Sequence, residues 1–315
     1  MKLYTGTNAT QSITGLGFSP DLAWIKSRSE ADQNVLCDAV RGASNRLFSN
    51  LTNAEQAGGL VSLDSSGFTL GNASTSQSLN NSGTTYVAWC WDESATPGFD
   101  IVTYTGTGVA RTVAHSLGVA PKMMIIKTRT TAGKNWAVYH AANGTPQNNV
   151  VYLNQTAGTN SSAGQWNSTA PTSSVFSVSG SPSSGYDDVN LNGDNYVAYL
   201  WSEVAGFSKF GSYTGNASTD GPFVFCGFRP KALWLKRTDS TSDWYVFDSA
   251  RNTFNSATQL LYPNLSNAEA AYTSPAGFDL LSNGFKSRET AINANGATYI
   301  FAAFAEAPFK YSLAR

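Results

Sequence analysis

One ten-residue pattern occurs three times in this chain, and its spacing limits the number of structural units the chain can form. The copies are Gly17-Phe-Ser-Pro-Asp-Leu-Ala-Trp-Ile-Lys26, Gly118-Val-Ala-Pro-Lys-Met-Met-Ile-Ile-Lys127 and Gly227-Phe-Arg-Pro-Lys-Ala-Leu-Trp-Leu-Lys236. Pro20, Pro121 and Pro230 therefore recur at about one domain length. A second pattern follows in the same order: Tyr86-Val-Ala-Trp-Cys-Trp91, Tyr196-Val-Ala-Tyr-Leu-Trp201 and Tyr299-Ile-Phe-Ala-Ala-Phe304. These repeats predict three related domains, at 1–95, 96–205 and 206–315, each long enough to bury its own core.

Within each repeat the signals are those of β-structure. A Tyr-Thr-Gly element at Tyr4, Tyr104 and Tyr213 reads as the end of a first strand. Leu22 to Ile25, Met123 to Ile126 and Ala232 to Leu235 are continuously apolar after Gly and Pro, as in a strand covered on both faces. Gly67-Phe-Thr-Leu70, Val175-Phe-Ser-Val178 and Gly277-Phe-Asp-Leu280 alternate, which implies one buried and one wet face. Ser82-Gly83, Asn192-Gly193 and Asn295-Gly296 tolerate positive φ and favour tight turns before the last strand. Without a convincing amphipathic helix, the expected fold is all-β, with three tandem antiparallel jelly-roll-like β-sandwich domains. The junctions Asp92-Glu-Ser-Ala-Thr-Pro-Gly98 and Ser202-Glu-Val-Ala-Gly206 are too short for flexible tethers, so the units are expected to pack together.

Charge and composition exclude several functions. The chain carries 20 basic and 21 acidic residues, a formal charge of −1, so no broad attraction to nucleic acid is expected. No apolar run of membrane-spanning length and no charged-then-apolar leader is present; the chain is expected to be soluble, without a signal peptide and without membrane insertion. Cys37, Cys90 and Cys226 each replace an apolar residue at a different motif position, as unpaired buried thiols would. No clustered metal ligands recur, and no cofactor fingerprint appears.

The two histidines, His115 and His140, fall outside the shared motif, which argues against serine-type catalysis. Asp38 and Asp248 recur with Arg41 and Arg251 three residues later, read as local ion-pair clamps in preference to glycosidase carboxylates. Asp187-Asp188 near Asp194 is a weak cation candidate without an ordered ligand loop. Lys26, Lys127 and Lys236 read as structural charges leaving the core. Repeat two carries a polar insertion around Gln155 to Ser174, in which Asn160, Trp166 and Asn167 form the candidate recognition surface: an exposed aromatic flanked by amides suits a sugar ring. The sequons at Asn50, Asn154 and Asn264 are read as compositional accidents.

At the Pro-to-Lys block, more so at His115-Ser-Leu-Gly-Val-Ala-Pro-Lys-Met-Met-Ile-Ile-Lys127 and Tyr86-Val-Ala-Trp-Cys-Trp91, the chain resembles a repeat domain of tailed-bacteriophage tail fibre-like and other virion structural proteins. The ending Ala305-Glu-Ala-Pro-Phe-Lys-Tyr-Ser-Leu-Ala-Arg315 is similar to their C-termini. The resemblance implies a non-enzymatic virion component, made in the host cytoplasm, with other virion proteins as partners. It also implies a host-surface glycan or protein as a candidate receptor. The repeats begin almost at Met1, which widens the implied position from fibre to neck, tail or capsid surface. A homo-oligomer is expected, with a trimer preferred, although three units in one chain could form a pseudo-trimer alone. The alternative is a glycan-degrading or glycan-binding tail component.

Overall fold

In this computed structural model, residues 1–72, 74–161, 164–180, 187–273 and 276–305 are described, and the chain is all-β, built from several antiparallel sheets. Helical structure is confined to single turns at Asp187–Asn190 and Thr290–Ile292 among the described residues. None of their helices is long and apolar enough to cross a membrane. The C-terminal sequence beyond Ala305, including most of the ending compared above, lies outside the described residues.

Each repeat builds a long sheet around its Pro-to-Lys strand. In repeat one, Leu22–Ser27 lies between Thr85–Trp91 and Val35–Asp38, while Lys2–Thr5 pairs with the far side of Thr85–Trp91. Met123–Thr128 holds the same place in repeat two, between Asn195–Trp201 and Ala137–His140. In repeat three Ala232–Arg237 lies between Thr298–Phe304 and Trp244–Asp248. A smaller sheet accompanies each: Gln11–Thr14 with Gly67–Leu70 and Ser62–Asp64, Arg111–Ala114 with Val175–Val178, and Phe223–Phe225 with Gly284–Ser287 and Phe278–Leu281.

The motif tyrosines fix the first strand to the last. Tyr4 stands opposite Tyr86 and stacks on it at 4.9 Å; Tyr104 and Tyr196 stack at 5.0 Å, and Tyr213 and Tyr299 at 4.9 Å. Each first-strand hydroxyl then donates to the carbonyl of Leu79, Val189 or Ile292 at 2.6–2.8 Å. Gly83, Gly193 and Gly296 all adopt φ between 69° and 82°, as the turn before the last strand requires.

Side-chain alternation then divides each central strand between two cores. Ala23 and Ile25 join Ile13 and Phe68 in a cluster private to repeat one, and Met124 with Ile126, and Leu233 with Leu235, do the same in repeats two and three. The opposite face sends Leu22, Trp24, Met123, Ile125 and Trp234 into a single cluster shared by all three repeats. Its aromatic rings meet across repeat boundaries. Trp24 lies edge-on to Trp234 at 4.6 Å, and Trp91 lies edge-on to Trp201 at 5.7 Å and to Trp234 at 5.9 Å. Three private cores therefore surround a common one.

Trp234→Ala removes a ring that touches Trp24, Trp89 and Trp91. It should destabilise the whole chain by about 3–5 kcal/mol. Because the common core couples the repeats, denaturant unfolding followed by tryptophan fluorescence and by far-ultraviolet circular dichroism should give one coincident transition. Three resolved transitions would contradict the shared core.

Candidate functional site

The chemistry-bearing residues of the repeats converge on the boundaries between repeats. Each repeat extends one segment across its neighbour: 48–55 lies on repeat two, 152–159 on repeat three and 262–269 on repeat one. Glu55 N donates to Arg129 O at 2.8 Å, Thr159 N to Thr238 O at 2.7 Å, and Glu269 N to Arg28 O at 2.8 Å. The order one to two, two to three and three to one closes a ring. One motif position reinforces every boundary. The Trp136 indole donates to Phe48 O at 2.8 Å, the Trp244 indole to Tyr152 O at 3.0 Å, and the Asn34 amide to Leu265 O at 2.8 Å.

The repeated lysines belong to this ring. Two residues beyond Trp24, Ile125 and Trp234, each points toward the shared-core side and is fully buried, which corrects the expectation of a charge leaving the core. Lys26 Nζ donates to Ser27 O at 2.9 Å and Ser266 O at 3.2 Å; Lys127 Nζ to Lys134 O at 2.9 Å and Thr52 O at 3.3 Å. Lys236 Nζ donates to Thr156 O at 2.8 Å and also to Ser242 O. Burial pulls all three ammonium groups down to about 8.

Asp38 and Asp248 are clamps to Arg41 and Arg251, as the spacing indicated, and the clamps extend across boundaries. Arg41 Nε meets Asp38 at 2.5 Å and its Nη1 meets Glu55 at 2.7 Å; Glu55 in turn accepts from Arg129 of repeat two at 2.9 Å. The Tyr199 hydroxyl of repeat two donates to Asp38 at 2.7 Å. Repeat three copies this onto repeat one: Arg251 bridges Asp248 and Glu269, Glu269 accepts from Arg28, and the Trp89 indole donates to Asp248 at 3.3 Å. Burial alone would raise the Glu55 carboxyl, but hydrogen bonds from Arg129 and Arg41 hold it below its ordinary value. With both Asp38 and Asp248 side chains at 0% exposure, neither can meet a sugar.

The second boundary lacks the Asp-to-Arg clamp of the other two. His140 stands where the other repeats have aspartate, and Asn143, in place of arginine, accepts from the Thr159 hydroxyl at 2.6 Å. His140 Nδ1 accepts from Ala142 N at 3.2 Å, so its Nε2 carries the proton given to Phe301 O at 3.0 Å. Burial lowers this imidazole to about 4, with the Phe301 carbonyl opposing. His115 is half-buried, its Nδ1 accepting from Leu117 N at 3.3 Å and its Nε2 bonded to Thr172 O at 3.2 Å.

The structure brings together one acidic pair that sequence reasoning missed. Burial, then a hydrogen bond with Asp100, raises Glu93 to about 7. Glu93 accepts from Ile101 N across the first junction, and Asp100 accepts from Ser116 N within repeat two. The recurrence of glutamate two residues after the terminal aromatic, at Glu93 and Glu203, was the available signal; Glu203 pairs with Lys209 at 2.8 Å. In the weak cation candidate, Asp188 accepts from Asn135 N and Asp194 from Thr128 and Thr131, whereas the Asp187 side chain lies outside the described residues. No group of three potential ligands occurs among the described residues.

The expectation of an exposed Trp166 is corrected. Its ring is 1% exposed, edge-on to Tyr139 at 5.7 Å, and its indole donates to Asn149 O at 2.9 Å. A large aromatic beside a private core gains more from burial than from solvent contact. Asn160 and Asn167 are exposed. The exposed aromatics lie instead on repeat three: Phe223 and Phe225, 47% and 63% exposed, occupy the outer face of Phe223–Phe225. Phe254, 83% exposed, precedes Asn255, which bonds Leu280 across the opposite edge of that sheet. Repeats one and two place Ser12 and Thr14, and Thr112 and Ala114, at the positions of Phe223 and Phe225.

Arg41→Met leaves Asp38 buried without its counter-ion and should cost about 3–5 kcal/mol in chemical denaturation, with Asp38→Asn added to it restoring part of the loss. For His140 the folded state holds fewer protons than the unfolded state between the ordinary histidine value near 6.5 and about 4. Its contribution is thus present above about 6.5 and lost as pH falls through about 4, roughly 3 kcal/mol in all. His140→Phe should flatten that part of the stability profile.

Comparison with curated proteins finds no match. The family model described as "Domain of unknown function (DUF7483)" matches residues 1–308, a single match running through all three repeats. The chain belongs to the DUF7483 family.

Proposed function

We propose that the protein is a non-catalytic structural component of a tailed-phage virion, a rigid block of three β-sandwich units at 1–95, 96–205 and 206–315. The observation that carries this reading is the use of the recurring charged residues. Asp38, Arg41, Glu55, Asp248, Arg251, Glu269 and the three motif lysines are spent on ties within and between repeats, their side chains turned away from solvent. The sandwich assignment is supported by the pairing of a long and a small sheet around a private cluster in each repeat. The common core supports the chain as a pseudo-trimer in itself, one copy doing what three single-repeat subunits would do.

The block attaches to a neighbouring virion protein or a host-surface receptor through repeat three. Phe223 and Phe225 give this reading its surface, because adjacent exposed aromatics on one strand mark a contact face and repeats one and two lack them there.

Mass spectrometry of purified virions should detect the chain, and its absence there would overturn the assignment. Phe223→Ser combined with Phe225→Thr, the residues of repeat one, should leave folding intact and reduce incorporation or host adsorption. Incubation with host polysaccharide should yield no cleavage. Cleavage abolished by Glu93→Gln would establish the glycan-degrading alternative instead.

A further inference from the structure

The two junctions between repeats are built on one plan with opposite charge. At the second, Glu203 follows Trp201 by two residues, accepts from Phe210 N at 3.3 Å and meets Lys209 Nζ at 2.8 Å. At the first, Glu93 follows Trp91 by two residues and accepts from Ile101 N at 3.2 Å. Ile101 and Phe210 are each the third residue of their strands, Phe99–Thr105 and Ser208–Thr214, so Asp100 holds the place of Lys209. A second position repeats the inversion. Asp21 N donates to Trp91 O at 2.8 Å and Lys122 N to Trp201 O at 2.7 Å, which puts Asp21 in repeat one where repeat two has a lysine. The Asp21 carboxylate turns to the junction and accepts from Glu93 N at 2.7 Å. Glu93 thus lies between two carboxyls, whereas Glu203 has a counter-ion.

Two ionised carboxylates are acceptors only, so the hydrogen bond between Glu93 and Asp100 requires a proton on one of them. Main-chain donors already serve both groups, Ile101 N on Glu93 and Ser116 N on Asp100 at 2.5 Å, and Asp100 is 3% exposed, which keeps solvent from replacing that proton. The surrounding charges add to the demand. Asp100 and Asp21 both act on Glu93; Asp21 is itself raised by burial, with Asp92 and Asp38 adding to it against the hydrogen bond from Glu93 N. His115, beside Ser116, turns its ring to Leu117 N and Thr172 O, and Lys122 is exposed.

We propose that the first junction is a proton-operated latch. With one proton held between Glu93 and Asp100, residues 92–98 are tied to the start of repeat two. When that proton leaves to solvent, repulsion among Asp21, Glu93 and Asp100 releases the tie, while the Glu203–Lys209 pair keeps the second junction shut. The shared core and the crossing segment 48–55 hold repeats one and two together in both states, so the latch governs the junction and not the assembly. The direction follows from linkage. Burial, then the hydrogen bond with Asp100, raises Glu93 from its ordinary 4.5 to about 7, so between those values the folded chain holds more protons than the unfolded one. The contribution of the latch is complete below about 4.5 and is lost as pH rises through about 7. His140 acts in the opposite sense over much of that range, so the latch is to be read locally and not from overall stability.

Hydrogen exchange of the full-length chain, with the intrinsic rate divided out at each pH, tests the latch. Protection of the stretch 93–101 should fall several-fold between about pH 6 and about pH 8, while that of 203–210 stays constant. Glu93→Gln, whose amide donates to Asp100 at every pH, should keep the high protection throughout. Asp100→Lys, which copies the ion pair of the second junction, should do the same. No fall over 93–101, an equal fall over 203–210, or a fall that persists in either variant would overturn the proposal, and each of these results leaves the virion reading intact.

Discussion

The central strand of each repeat is apolar on both faces, and one small sheet can cover only one of them. Ala23 and Ile25 are satisfied within repeat one, but Leu22 and Trp24 need a second apolar surface that the repeat does not contain. A single repeat would leave Trp24, Trp89 and Trp91 in water, at a cost of roughly 1.5–3 kcal/mol for each large side chain. The same surplus on each repeat is removed when the three inner faces meet. The rest follows from that meeting: lysines that point inward, crossing segments that cap their neighbours, and carboxylates that must find arginines. Within that core the indole N–H groups of Trp24, Trp201 and Trp234 are buried with no acceptor among the described residues.

Polar chemistry at the boundaries serves geometry more than net stability. Burying an ion pair costs desolvation that its attraction barely offsets, while a misplaced partner is heavily penalised. The Asp38–Arg41–Glu55–Arg129 and Asp248–Arg251–Glu269–Arg28 chains thus fix how one repeat sits on the next. Because one polypeptide supplies all three boundaries, they need not be equal. The second has replaced its clamp with neutral groups, His140 bonded to the Phe301 carbonyl and Asn143 to the Thr159 hydroxyl, and burial holds the His140 imidazole uncharged down to about 4.

The same freedom appears on the outside. Repeat three carries Phe223 and Phe225 where the other repeats keep small residues, so internal similarity coexists with one distinctive face. The particle component proposed above would draw on this combination: a body stiffened by shared burial and a local patch free to diverge.

Residue patterns alone determined the number of repeats, the all-β class, the turns at Gly83, Gly193 and Gly296, and the Asp-to-Arg clamps, because all of these are local. Periodicity, turn dihedrals and an i to i+3 ion pair need no knowledge of distant chain. The sequence also indicated that the central strands are covered twice, without naming the cover. Tertiary structure decided that the second cover is the other repeats, that Lys26, Lys127 and Lys236 turn inward, that Trp166 is buried, and that Glu93 meets Asp100. Those outcomes depend on contacts between residues 75 to 240 positions apart, on the packing of a whole loop, or on the path of the first junction. The three repeats are alike enough that each could have packed on a second copy of the chain. Only the assembled core distinguishes a closed intramolecular ring from that alternative, since both bury the same side chains.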